Sequence, residues 1–223
     1  MNDAVVVTSL MTGRIATLPG GKRTAIGKHP ISGPVAITRL GLAGDQQADK
    51  RHHGGPEMAV HLYPLAHDAW WRGQIGDHPL LDDPGAFGSN LAVERIDEDS
   101  VCIGERFRLG SALLEVSQPR KPCATIEQRF ERTGMVAAIV SSGRCGWYMR
   151  VIEEGRAAAG DALVPVPGSG TGVTVRSAFA AAVDPASEPS RALLAELAAA
   201  PALAEEWRNR IAARLVRVGN ASR

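Results

Sequence analysis

The sequence predicts a predominantly β fold of the α+β class, with short helices among the strands and a helical region at the C-terminal end. Three observations predict it. Residues 5–167 break into short apolar runs separated by glycine and proline, the pattern of a closed or nearly closed β-structure. The runs follow one another too closely for the crossover helix of a βαβ unit to fit between them. Beyond Val166 the composition changes: the connector Pro167-Gly168-Ser169-Gly170-Thr171-Gly172 leads into a stretch dominated by alanine, leucine, glutamate and arginine. The predicted division is a β-barrel domain over 1–167 and a helical region over 173–223.

In chain order the strand candidates are Val5-Val6-Val7, Pro34-Val35-Ala36-Ile37, Met58-Ala59-Val60-His61-Leu62, Leu91-Ala92-Val93, Arg106-Phe107-Arg108-Leu109 and Ala112-Leu113-Leu114-Glu115-Val116. Gly13, Gly20, Gly21, Gly33, Gly104, Gly110 and Gly160 punctuate them at the turns. Two segments read as helical: 64–75, carrying Leu65, Ala69, Trp70 and Ile75, and 125–130, directly after Cys123. Residues 133–140 fit a short helix or a strand equally well. In the tail, Asp184-Pro185 ends a first helix, and Ser187-Glu188-Pro189 reads as the N-cap and first turn of a second whose apolar face is Leu193, Leu194 and Leu197. Leu203, Trp207, Ile211 and Leu215 recur every four residues and predict a third, amphipathic helix. Three helices of this size cannot stabilise themselves well alone, so they should pack on the barrel or on a second subunit.

With 25 basic and 24 acidic residues, the formal charge of +1 gives no overall field for wrapping nucleic acid or coating an anionic membrane. The N-terminus lacks the charged start and long apolar core of a signal peptide, and no stretch reaches bilayer length. The three cysteines, Cys102, Cys123 and Cys145, are sparse and odd in number, which predicts a reducing, cytoplasmic setting with at least one free thiol.

Three stretches carry chemistry. Asp45, then His53-Gly54-Gly55, reads as a ligand-binding loop in which glycine amides approach an anion while Asp45 and His53 fix or protonate it; a tight turn with solvated histidines, and a turn-capping Asp45, fit the same residues. Phe87-Gly88-Ser89-Asn90 places an amide at a strand start, where Asn90 can read a heterocycle edge or satisfy turn carbonyls. Ser117-Gln118-Pro119-Arg120-Lys121-Pro122-Cys123 puts two cations within three residues of a cysteine that precedes a helix, all of which favours the thiolate. Cys123 is therefore the expected reactive thiol. Cys102, in Val101-Cys102-Ile103, reads as buried and inert, and Cys145, between Arg144 and Gly146, reads as part of a structural turn or of a ligand loop.

In order and spacing, the segment 41–49, His53-Gly54-Gly55, Phe87-Gly88-Ser89-Asn90-Leu91 and the run from Ser117 to Cys123 resemble the MOSC domain family, and the helical tail resembles its YiiM-like subgroup. The resemblance implies a MOSC-type β-barrel that binds the molybdenum cofactor, with Cys123 as metal ligand. It further implies reduction of N-hydroxylated compounds, such as N-hydroxylated purine bases, with electrons from a separate reductase, and it favours a homodimer. Lys28 matches an early basic position and is the first candidate for the pterin phosphate; Arg120 is the second, with Arg23 and Lys50 as substitutes. His53, Gly54, Gly55, Asn90 and Gln118 align with positions near pterin or metal, and His53 or Asp45 would supply protons, His53 the better suited near neutral pH. One departure stands out: Ser89 occupies a place where the family usually has glutamate.

Three other readings use the same residues. A cofactor carrier or sulfur-delivery protein would bind the pterin without turnover. A zinc hydrolase would draw on His52, His53, His61 and His67, which lack a recognised ligand spacing. A cysteine hydrolase would assemble Cys123, His53 and Asp45.

Overall fold

The computed structural model of the protein describes residues 3–51 and 53–221. Its strands are β1 (Val5–Val6), β2 (Ser9–Gly13), β3 (Ala16–Thr17), β4 (Arg23–Thr24), β5 (Lys28–Pro30), β6 (Val35–Thr38), β7 (Gly41–Leu42), β8 (Val60–Pro64), β9 (Leu91–Val93), β10 (Arg106–Leu109), β11 (Ala112–Pro119), β12 (Trp147–Glu153), β13 (Gly155–Ala157) and β14 (Ala162–Pro165). Nine of them form one curled half-barrel sheet in the order β1-β14-β10-β11-β12-β8-β9-β2-β5. Its pairings are antiparallel apart from β8 with β9. β13-β6-β7 and β3-β4 make two smaller sheets.

The burial of each strand follows from its residues. In β10, Arg106 and Arg108 face out while Phe107 and Leu109 face in, the two-residue period of a half-buried strand. β11 is buried along its whole length because the sheet curls over one face and the tail helices cover the other. Its one acidic residue, Glu115, is neutralised by Arg106 at 2.7 Å and Arg150 at 2.7 Å, and Arg150 also grips Glu57. The strand predicted over 112–116 therefore continues to Pro119, delivering the Ser117–Cys123 motif to the sheet end.

The helices are α1 (His67–Ile75), α2 (Thr125–Phe130), α3 (Met135–Ser142), α4 (Val175–Val183), α5 (Arg191–Ala199) and α6 (Glu205–Ala221). α1 starts three residues later than the sequence suggests, because Tyr63 and Pro64 pair with Ala92 and Val93 and complete β8. The segment at 58–59 is likewise not strand: Pro56–Met58 forms a 3₁₀ turn. The undecided segment 133–140 resolves as helix α3, set between Gly134 and Gly143, both left-handed. The N-cap of α5 is Ser190, whose hydroxyl accepts from Leu193 N–H, so Ser187 is not the cap. Ser187 is otherwise engaged, donating to the Ala180 carbonyl at 2.6 Å.

The tail closes on the barrel of its own chain. Val175 N–H donates to Val101 O at 2.8 Å, and Ala204 N–H donates to Ser117 O at 2.9 Å. Leu203, Trp207 and Ile211 are buried as their spacing predicts, and they join the barrel residues in one apolar cluster. Cys102 is half-buried rather than buried, in an isolated bridge to Thr174 at this seam. Among the described residues no helix is long and apolar enough to cross a membrane.

Because Ile211 is fully buried in that shared cluster, Ile211→Ala should cost about 2–5 kcal/mol. Thermal unfolding followed by circular dichroism should show a lowered Tm in a single transition, whereas an early separate transition would mean that the tail is independent of the barrel.

Candidate functional site

At one end of the curled sheet an open cavity encloses about 850 Å³, its solvent mouth included. One wall is built around a buried ion pair. Lys28 opens β5 with its side chain turned inward, and its Nζ lies 2.6 Å from Asp45 Oδ2. The same oxygen accepts from Asn90 Nδ2 at 2.9 Å, while Asp45 Oδ1 accepts from Gly13 N–H at 2.7 Å. Asp45 thus ties together β2, β5 and the start of β9. Burial pushes the Lys28 ammonium below its ordinary pKa, Asp45 opposes that, and the nearby Arg120 guanidinium adds to the lowering. Asn90 is committed as well: its carbonyl accepts from His61 N–H at 3.0 Å and its amide also donates to Met11 O at 3.1 Å.

The floor comes from the end of β11. Arg120 N–H donates to Gly146 O at 3.0 Å, and Gly146 N–H donates to Glu98 Oε1 at 2.6 Å. Glu98 is completely buried and bound also to His67 at 2.8 Å, so an internal carboxylate fixes the turn that seats Arg120. Gly146 is required there: its φ is +66°, and a Cβ would stand 2.5 Å from Leu62 O. The Arg120 guanidinium bonds the hydroxyl of Tyr148, yet its Nη1 is buried with no hydrogen-bond partner among the described residues. An uncompensated buried guanidinium nitrogen of this kind calls for an acceptor. His61, beside Tyr148 with ring centroids 4.9 Å apart, is kept neutral: burial lowers its pKa well below the usual value, and Arg120 lowers it further.

Cys123 sits at the rim of this floor. Burial alone would push its thiol up, but a hydrogen bond from His53, the charge of Arg120 and hydrogen bonds from the Thr125 hydroxyl and amide outweigh it and bring the pKa to about 6. The thiolate is therefore the main form at neutral pH. Thr125 is in turn held by Lys22 Nζ at 2.6 Å, which brings the turn between β3 and β4 to the mouth. The other cysteines behave differently. Burial raises Cys102 and pushes fully buried Cys145 well above its ordinary value, with Glu98 adding to the latter. Cys145 is part of a structural turn, as one reading of its sequence had it, and its Sγ lies 3.1 Å from Gly146 O.

Of the residues singled out in the sequence, Lys28, Asp45, His53, Gly54, Asn90, Arg120 and Cys123 line one cavity. Gly55 and Gln118 do not: Gly55 precedes the 3₁₀ turn, and Gln118 is buried within β11 opposite Tyr148. Arg23 lines the mouth, whereas Lys50 does not. Ser89 is fully buried and donates to Pro84 O at 3.1 Å, so the departure from the family glutamate lies outside the cavity lining. Tyr148, Thr125 and Lys22 complete the site with no motif to announce them; Thr125 follows Cys123 by two residues, and the other two reach it through tertiary packing. His52 lies outside the described residues. Among those described, no three His, Cys, Asp or Glu side chains converge to hold a metal, and His67 is spent on Glu98. The cysteine hydrolase has its Cys123–His53 pair, but Asp45 is occupied by Lys28, Asn90 and Gly13.

Comparison with known proteins adds an independent finding. The MOSC domain matches residues 49–164. Protein YiiM of Escherichia coli (strain K12) is 38% identical over 171 residues, which is 77% of this chain and 76% of that protein. A protein of Gibberella moniliformis named "Reductase" is 38% identical over 161 residues, 71% of this chain but only 28% of that protein. The crystal structure of YiiM from Geobacillus stearothermophilus superposes with a TM-score of 0.78 at 28% identity, covering 94% of this chain and 98% of that one.

The thiol geometry predicts selective reactivity. Alkylation of Cys123 should rise with pH to half its maximum near pH 6, ahead of Cys102 and Cys145, and His53→Ala should move that midpoint upward, as read by mass spectrometry of iodoacetamide adducts. Because the folded pKa lies below the ordinary value of 9.0, the associated stabilisation is complete above pH 9 and is lost as the pH falls through about 6. Asp45→Ala, which strands a buried ammonium, should cost about 3–5 kcal/mol in urea unfolding.

Proposed function

The chain belongs to the MOSC domain family, and from that premise we propose that its cavity binds the molybdenum cofactor, with Cys123 as the protein's ligand to molybdenum, and that it reduces N-hydroxylated compounds such as N-hydroxylated purine bases. The observation that carries this reading is the placement of one low-pKa sulfur beside two buried cations in a single open cavity.

The residues present fit such a group. A thiolate is a soft ligand, suited to a metal whose remaining donors are the sulfurs of a pterin dithiolene. Lys28 and Arg120 would hold the anionic tail, and the unpartnered Nη1 of Arg120 is a donor in search of an acceptor. Phe87 and Ile26 give the cavity an apolar side against which a flat heterocycle can lie. When bound, the cofactor supplies the two-electron redox chemistry, and the protein supplies orientation and electrostatics.

The reaction consumes two electrons and two protons, breaks the N–O bond and releases water. His53 is exposed at the mouth and hydrogen-bonded to the Cys123 sulfur, so it is placed to pass protons from solvent to the reacting N–OH group. Asp45, saturated by three donors, takes the role of positioning Lys28 and Asn90. Neutral His61 and Tyr148 offer further polar contacts to a bound ring. Electrons come from a separate reductase in this reading; the Gibberella relative named a reductase, most of whose length lies beyond the matched segment, supports that association.

Protein purified from a host that makes the pterin should carry molybdenum and reduce N-hydroxylated adenine with reduced methyl viologen as donor. Cys123→Ser should lose most of its metal, and His53→Ala should retain metal but lose roughly 10²–10⁴-fold in rate. Full metal retention in Cys123→Ser would remove the sulfur from its assigned role. Ready transfer of the pterin to an apo-enzyme, without any reduction, would make the protein a carrier.

A further inference from the structure

We propose that the exposed cations at and beside the cavity mouth form the docking surface for an acidic electron-transfer protein. This rests on the reductase reading above and adds to it the chemistry of the donor and the face on which it lands.

Two cations already serve the interior, Lys28 and Arg120, and both are buried. The outer set is separate and faces water: Arg14, Lys22, Arg23, Lys50, Arg51 and Lys121 are all exposed. Lys22, Arg23 and Lys121 line the mouth directly. Arg14 is fixed beside it, because Gly13 N–H binds Asp45 and Ile15 N–H binds the side chain of Gln46, both lining residues. Lys50 and Arg51 lie in the short segment between Asp49 and His53, which also line it. Among the lining residues the exposed charges are three cations, Lys22, Arg23 and Lys121, against one carboxylate, Asp49, since Asp45 is buried. The whole chain is nearly neutral, with 25 basic and 24 acidic residues. A near-neutral molecule has therefore gathered positive charge around one opening, beyond what the buried pair provides for an anionic tail.

Such a field raises the encounter rate with a partner of opposite sign and orients it over the opening. At this mouth the benefit is specific, because a donor seated there would lie over the cavity lined by Cys123, the sulfur proposed to hold the metal. A one-electron carrier must dock and leave twice per turnover: two reduced carriers deliver two electrons, two protons enter from solvent, and the N-hydroxylated base leaves as the free amine plus water. Weak, fast, charge-steered contact suits that cycle better than a tight apolar interface.

The test uses the cofactor-loaded full chain with two donors, reduced flavodoxin as an acidic protein carrier and reduced methyl viologen as a small one. The variant Arg14→Glu/Arg51→Glu changes exposed charges that do not line the cavity. Flavodoxin-supported reduction of N-hydroxylated adenine should fall at least about tenfold in the variant, and in the wild type it should fall as salt rises from about 20 to about 200 mM. The viologen-supported rate should not fall. An equal loss with both donors, a flavodoxin rate indifferent to charge and salt, or preferential capture of duplex DNA by the wild type would each overturn the proposal. If the wild type reduces no N-hydroxylated base with viologen, the functional reading fails by itself. Docking is then decided by calorimetry, where salt-sensitive binding of flavodoxin, lost in the variant, supports it and absence of that binding ends it.

Discussion

The buried contact between Asp45 and Lys28 is the constraint on which the cavity depends. An ammonium taken out of water needs a compensating charge and full hydrogen bonding. Asp45 supplies both while drawing its remaining bonds from Gly13 and Asn90, so one carboxylate braces β2, β5 and the residue that leads into β9. The cation is thereby kept inside the cavity, and Asn90 is oriented so that its carbonyl fixes the backbone of His61. The floor repeats the device with a different acid. Glu98, also buried, binds Gly146 N–H, and Gly146 O binds Arg120 N–H. Two internal carboxylates, neither facing solvent, thus place two cations and leave Arg120 Nη1 without a partner among the described residues.

The sulfur gains its character from this arrangement. Desolvation acts against a thiolate, and without Arg120, His53 and Thr125 burial would hold the Cys123 thiol above its ordinary value. Cys145 shows the contrast: complete burial, with the Glu98 carboxylate adding to it, holds its thiol protonated although Arg120 and Arg176 act the other way. The tail contributes indirectly. By capping Ser117 O through Ala204 and burying the outer face of β11, it keeps the strand extended as far as the residues that carry the site.

How much of this was legible in the sequence depended on the range of the interactions. The fold class, the strand Arg106–Leu109, the helix Thr125–Phe130 and the apolar stripe of Trp207 and Ile211 follow from local periodicity and turn residues, and they appear where the pattern puts them. Cys123 was legible because its activating neighbours are close in sequence, although exposed Lys121 adds little and His53 and Thr125 do more than the pattern alone implied. Residues 133–140 were undecidable because a uniformly apolar segment has no period; the flanking glycines settle it as a helix. The role of Asp45 as an anchor depends on Lys28 and Asn90, seventeen and forty-five positions away, and Tyr148 reaches the floor only through the pairing of β12 with β11. Ser187 and Ser190 illustrate a near miss, where two serines compete for one cap and the tertiary contact to Ala180 decides between them.

If the cavity presents the Cys123 sulfur to molybdenum as proposed, molybdenum K-edge X-ray absorption reads it directly in the sulfur shell. In wild-type protein loaded with cofactor, one more sulfur scatterer than the pterin dithiolene provides is expected, replaced by a lighter atom or lost with the metal in Cys123→Ser. A sulfur shell of the same size in both proteins at equal molybdenum content would contradict it.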